Sequence, residues 1–136
     1  MKPKPIRTFS IIPSLPEPLK PLWTLAYNLR WAWKYDAIEL FMRLDPDLWE
    51  ETNHNPVRML SSMSQQQLEE ASRNESFLLH MDRVLDALDQ YMNVKTPYSF
   101  HLEKGLDPGF LVAYISMEVG MTEALPIYSG GLGVLS

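Results

Sequence analysis

The 136-residue chain contains no cysteine, which excludes a disulfide and any thiolate metal site. No stretch approaches the roughly 18 uninterrupted apolar residues of a membrane span, so no membrane partner is expected. The opening Met1-Lys2-Pro3-Lys4-Pro5 is basic but is followed by no apolar segment, so no secretory signal is expected. These absences together suit a cytoplasmic protein. His54, His80 and His101 lie far apart and show no partnered spacing with acids, and no metal site is expected from them. Neither Gly-x-Gly-x-x-Gly nor a glycine loop closed by Gly-Lys-Ser/Thr occurs, so two familiar phosphate-binding signatures are missing.

What is present has the balance of a folded globular protein, 46% hydrophobic and 21% charged. The net charge of −5 is unevenly spread. Residues 1–34 carry six bases and one acid, Glu17, for +5; residues 35–136 carry six bases and sixteen acids, for −10. The bases of the first part are scattered among prolines and tryptophans and form no stripe. They read as a solvated surface, and no nucleic-acid partner is expected.

Residues 1–18 hold five prolines around Ile11-Ile12 and form a proline-rich leader, extended because proline fixes φ and lacks an amide donor. From Leu19 the pattern turns helical. Leu22, Leu25, Ala26, Leu29 and Trp33 mark one stripe of a helix, and Trp23, Tyr27 and Trp31 mark a second. Asp36 is placed to cap a helix carrying Ile38, Leu40, Phe41 and Leu44, with Leu48-Trp49 as a short packed turn before the next. Asn55-Pro56 reads as an N-cap followed by an N1 proline. Ser64 with Gln67 reads as a capping box. Residues 74–93 give an amphipathic helix with Phe77, Leu78, Met81, Val84, Leu85, Leu88, Tyr91 and Met92 on its apolar face. Residues 19–95 are therefore expected to be a helical domain.

A linker at 96–109 precedes a change of period. Phe110 to Met117 is a continuous apolar run of strand length, suited to a strand buried on both faces of a parallel sheet. After Glu118 and a turn comes Ser129-Gly130-Gly131-Leu132-Gly133. Glycines at a strand-to-helix junction can present free amides to an anion, since a Cβ would hold the ligand away. On physics alone a tight structural turn fits this loop equally well. A single parallel strand finds no second strand to pair with between Glu118 and Ser136, so residues 110–136 are expected to be the truncated start of an α/β catalytic domain.

Two stretches are more specific. Residues 112–120 (Val-Ala-Tyr-Ile-Ser-Met-Glu-Val-Gly) and 123–135, from Glu123 through the glycine loop to Leu135, resemble the opening of the catalytic region of α-glucan phosphorylases. Leu22 to Trp33 resembles the helical N-terminal region of the shorter prokaryotic members. The resemblance implies a longer parent with two Rossmann-like domains facing across a cleft, a GT-B type glycosyltransferase fold. It implies transfer of a terminal α-1,4-linked glucosyl unit to inorganic phosphate, giving glucose 1-phosphate, with pyridoxal phosphate as cofactor. The loop residues Gly130, Gly131, Leu132 and Gly133 would face the phosphate and glucosyl positions. Glu118, at the strand end, would shape the site or hold the glycine loop from behind. The cofactor lysine belongs to the family's distal half and matches none of the six lysines here, so this chain alone is expected to be inactive. The alternatives are a non-catalytic glucan-binding or assembly module, and a glycogen/starch synthase-type enzyme. The latter's Lys-x-Gly-Gly pattern is not met, because Tyr128 stands where the lysine would be. The four tryptophans suit core or domain packing better than stacking on sugars.

Overall fold

The computed structural model describes residues 13–94 and 120–125. The leader up to residue 12, the linker at 96–109 and the strand expected at Phe110–Met117 lie outside them. The described residues are helical, with no strand among them. A 3₁₀ turn at Glu17–Leu19 leads into α1 (Pro21–Tyr27), and a second at Leu29–Trp33 leads into α2 (Tyr35–Met42). Then come α3 (Pro46–Glu51), α4 (Pro56–Ser62), α5 (Gln65–Ser72) and the long α6 (Glu75–Asn93).

Five of these six helices have eight residues or fewer, too short to persist in water by hydrogen bonding alone. Their ends are instead fixed by local chemistry. Pro21, Pro46 and Pro56 each occupy the first turn, where the missing N–H would have no partner. The Asn55 side chain accepts from Arg58 N–H, and Asn74 accepts from Phe77 N–H. Ser64 and Gln67 form the full reciprocal capping box that their spacing announces.

Three expectations need correction. The helix from Leu19 does not continue through Trp33. Asn28 leaves helical geometry (φ −95°, ψ 105°) and its side chain accepts from Arg30 N–H, starting the 3₁₀ turn instead. Asn competes for backbone groups in this way. The break changes the phase, so Trp31 enters the core at 5% exposure while Trp33 stands 61% exposed. Asp36 does not cap α2; it lies in the first turn, Lys34 is the N-cap, and the Asp36 carboxylate is engaged elsewhere. Leu48-Trp49 is no mere turn but the middle of α3, capped by Asp45, whose carboxylate accepts from Leu48 N–H at 2.9 Å. Asp45 also accepts from Gln67 on α5 at 2.7 Å, tying α3 to the capping box.

The core is one continuous cluster. Leu19, Leu22, Leu40, Phe41, Met59 and Leu68 are fully buried in it, and Trp49 nearly so. Each such side chain contributes about 1.5–3 kcal/mol on leaving water. α6 lies across α1, α2 and α5, and α1 packs on α4. Phe77, Met81, Val84 and Leu88 face inward from α6, while Tyr91 and Met92, expected on the same face, are exposed beyond the bundle. The guanidinium of Arg30 covers the Tyr91 ring at 4.4 Å.

Candidate functional site

Glu118, Gly130, Gly131, Leu132 and Gly133 lie outside the described residues. The stretch between them, residues 120–125, is described, and it sits on the helical bundle. Leu125 N–H donates to the Thr122 carbonyl at 3.0 Å, making a turn. Ala124 packs against the core, and Ala124 and Leu125 line a shared hollow with Ala26 and Tyr27 of α1 and Pro56 and Val57 of α4.

The polar contact that holds this stretch comes from His54. α3 closes at its C-cap Thr52, whose hydroxyl donates to the Leu48 carbonyl. Asn53 and His54 then take positive φ, 52° and 55°. This left-handed region costs an L-residue about 1–2 kcal/mol, though Asn and His are among those found there most often. The turn lays the imidazole beside Trp49, ring centroids 5.3 Å apart. It sets Nε2 at 3.1 Å from the Glu50 carboxylate and Nδ1 at 2.8 Å from that of Glu123. A ring whose two nitrogens both face carboxylates is satisfied only when both carry protons. Accordingly the hydrogen bond to Glu50, then that to Glu123, and the charges of both acids lift its pKa above the ordinary 6.5, against the opposing effect of burial. Beside it opens a groove of about 360 Å³ whose walls include Trp31, Met42, Trp49, Glu50, His54 and Glu123.

His80 makes a second constellation, on α6. It is 3% exposed, and its Nε2 lies 2.8 Å from Asp36 Oδ1 while its Nδ1 lies 3.0 Å from Arg43 Nη1. A guanidinium has only donors, so Nδ1 must accept and the ring proton must sit on Nε2, donating to Asp36. Asp36, Glu39 and His80 bring three potential metal ligands close together. The tautomer that Arg43 imposes takes the Nε2 lone pair out of use, and the arrangement is explained without an ion.

The His54 cluster contradicts the reading that the histidines show no partnered spacing with acids, and His80 gains its acid partner through packing alone. Glu50 and His54 stand four apart, a spacing visible in the sequence once α3 is recognised. Asp36 and His80 are 44 residues apart and leave no such trace. Of the tryptophans, Trp31 and Trp49 are core residues, Trp49 stacking on Phe41 and meeting Trp31 edge-on. Trp23 is half-buried and stacks on the exposed Tyr27. The acids Glu69, Glu70, Asp82, Asp86 and Asp89 are exposed along their helices. A lysine that anchors pyridoxal phosphate is normally desolvated. Lys20 is exposed and paired with Glu17 at 2.6 Å, and Lys34 is exposed, so neither fits that role. Among the described residues no helix is long and apolar enough to cross a membrane.

The chain has clear relatives among known proteins. A family described as "Protein of unknown function (DUF3417)" matches residues 15–125. The chain is 37% identical over 136 residues to the glycogen phosphorylase of Mycobacterium tuberculosis (strain CDC 1551 / Oshkosh), covering 98% of this chain and 16% of that protein. It is 40% identical over 123 residues to the maltodextrin phosphorylase of Thermococcus litoralis, covering 90% of this chain and 14% of that protein. With the glycogen phosphorylase of Aquifex aeolicus it shares 38% identity over 115 residues, 85% of this chain and 16% of that protein. The chain thus spans about a sixth of the length of these relatives. No solved structure matches it.

Proposed function

The chain belongs to the DUF3417 family by its residues 15–125, and to the phosphorylase family by its likeness to these relatives, and on that premise we propose that it is the front part of an α-glucan phosphorylase. The enzyme would transfer a terminal α-1,4-linked glucosyl unit from a glucan to inorganic phosphate, giving glucose 1-phosphate, in the cytoplasm. The observation that carries the proposal is an identity of 37% sustained over 98% of the chain.

Within that reading, residues 19–95 form the helical domain and residues 110–136 begin the α/β catalytic domain of a GT-B fold. The backbone amides of Gly130, Gly131 and Gly133 would point at the phosphate and glucosyl positions. Fixed donors aimed at developing charge stabilise a transition state without reorganising. Glu118 would shape the site or brace the loop. Pyridoxal phosphate would supply a phosphate group for proton transfer, held by residues outside this chain. The part that the described residues play is mechanical: they bury a helical core and fasten residues 121–125 to it.

The test is glucose 1-phosphate release from a linear α-1,4-glucan and inorganic phosphate. It is to be run on the native protein captured through the helical domain and, in parallel, on the 136-residue chain. Release by the native protein and none by the 136 residues is expected; no release by either overturns the proposal. A second reading, a glucan-binding or assembly module without catalysis, draws on Tyr27, Trp33 and Tyr35, which are 71%, 61% and 75% exposed. It requires the 136-residue chain to bind glucan or self-associate on its own. A synthase-type glycosyltransferase has no feature among the described residues in its favour.

A further inference from the structure

Residues 120–125 meet the helical bundle 69 positions away from His54 in sequence, and they do so through one ionisable side chain, Glu123. The apolar part of the contact is small: Ala124 is half-buried, while Met121 and Leu125 are 40% and 43% exposed. Among the described residues the His54–Glu123 bond, at 2.8 Å, is the only polar tie between this stretch and the bundle. Among the described residues the charged groups facing His54 are Glu50, from α3, and Glu123; its ring packs against Trp49. Glu50 holds one ring nitrogen, which leaves the other to meet Glu123.

The tie is close to the glycine loop in sequence. Gly130 lies five residues beyond Leu125, a span of at most about 18 Å of extended chain. Pro126 comes directly after Leu125 and disfavours helical geometry at Leu125 itself. The place where residues 120–125 are held thus sets the point from which the five following residues run to Gly130. A displacement of about 1 Å in a reacting geometry can cost about a hundredfold in rate.

We propose that His54 is a positioning residue that, by clasping Glu123 to α3, fixes where the chain stands as it approaches Gly130, Gly131, Leu132 and Gly133. The functional meaning rests on the reading of that loop as the phosphate and glucosyl site. The left-handed turn at Asn53-His54 is accounted for in the same way, since it lays one ring nitrogen back on Glu50 of α3 and leaves the other to meet Glu123.

The test uses amide hydrogen exchange and chemical shifts by NMR on the 136-residue chain, its His54→Asn and Glu123→Gln variants, and the double variant. Asn tolerates positive φ, so the first variant removes the imidazolium and keeps the turn. Protection of the Leu125 amide, which is bonded to Thr122, is expected to fall about fivefold in each single variant. That is the size of effect expected from losing one ion pair open to solvent. The double variant should lose no more than either single one. Wild type should show the same loss as pH rises from about 6 to about 9, the variants none, and the Gly130, Gly131 and Gly133 amides should shift in step. Unchanged Leu125 protection, unmoved glycine amides, or an equal loss throughout α6 would each overturn the proposal. Titration with inorganic phosphate separates the two readings. If phosphate leaves the glycine amides unshifted, the loop assignment falls, while Leu125 protection still decides the clasp.

Discussion

His80 and His54 each meet a carboxylate at 2.8 Å, but they stand in different surroundings. His80 is buried between α2 and α6 with an arginine on its far nitrogen, which fixes it as a neutral relay from Arg43 to Asp36. His54 is partly open to water with a carboxylate on each nitrogen, which favours the imidazolium. The same side chain is thus a fixed strut in one place and a charge-dependent clasp in the other, and the second partner decides which. Arg43 reinforces the strut by also donating to Ser76 and lying over Phe77.

Three changes would break or sharpen this contrast. The largest effect is expected from His80→Ala, which empties a buried position and leaves Arg43 and Asp36 without their bridge. A loss of about 2–3 kcal/mol in urea unfolding is expected, and a loss below about 1 kcal/mol would show the relay to be incidental. Next comes Asp45→Ala, which removes the α3 cap and the link to Gln67. It should cost about 1–2 kcal/mol in the same unfolding measurement and loosen the N-terminal end of α3, opposite the end from which His54 projects. The smallest effect is that of pH. Because the folded pKa of His54 is raised, its contribution is fully present below the ordinary value of 6.5 and is lost as pH climbs through the higher folded value. For a pair this open to solvent it amounts to less than about 1 kcal/mol. Thermal melts across that window should fall slightly in wild type and stay level in His54→Asn. A wild-type melt that rises instead would contradict the assigned charge.

How far the fold can be read from the sequence depends on the range of each interaction. The caps at Asn55 and Ser64 are legible because each closes within three residues. Asp45-Pro46 carries the same signal as Asn55-Pro56, but Leu48-Trp49 is too brief an apolar pattern to advertise a helix. The break at Asn28 is hidden, because the stripe Leu22, Leu25, Leu29, Trp33 continues in helical period straight through it. Asp36 offers itself as a cap and is engaged by a histidine 44 residues away, a choice that only packing makes. The candidate site divides in the same way. The glycine loop is legible as a motif, whereas the contact between His54 and Glu123 requires α3, its left-handed end and residues 120–125 to be seen together.

The closeness of His54 to Trp49 has an optical consequence. A protonated imidazole quenches the emission of a neighbouring indole more strongly than a neutral one, and here the ring centroids are 5.3 Å apart. The emission of Trp49 is therefore expected to follow the charge state of His54, without a label and from inside the core.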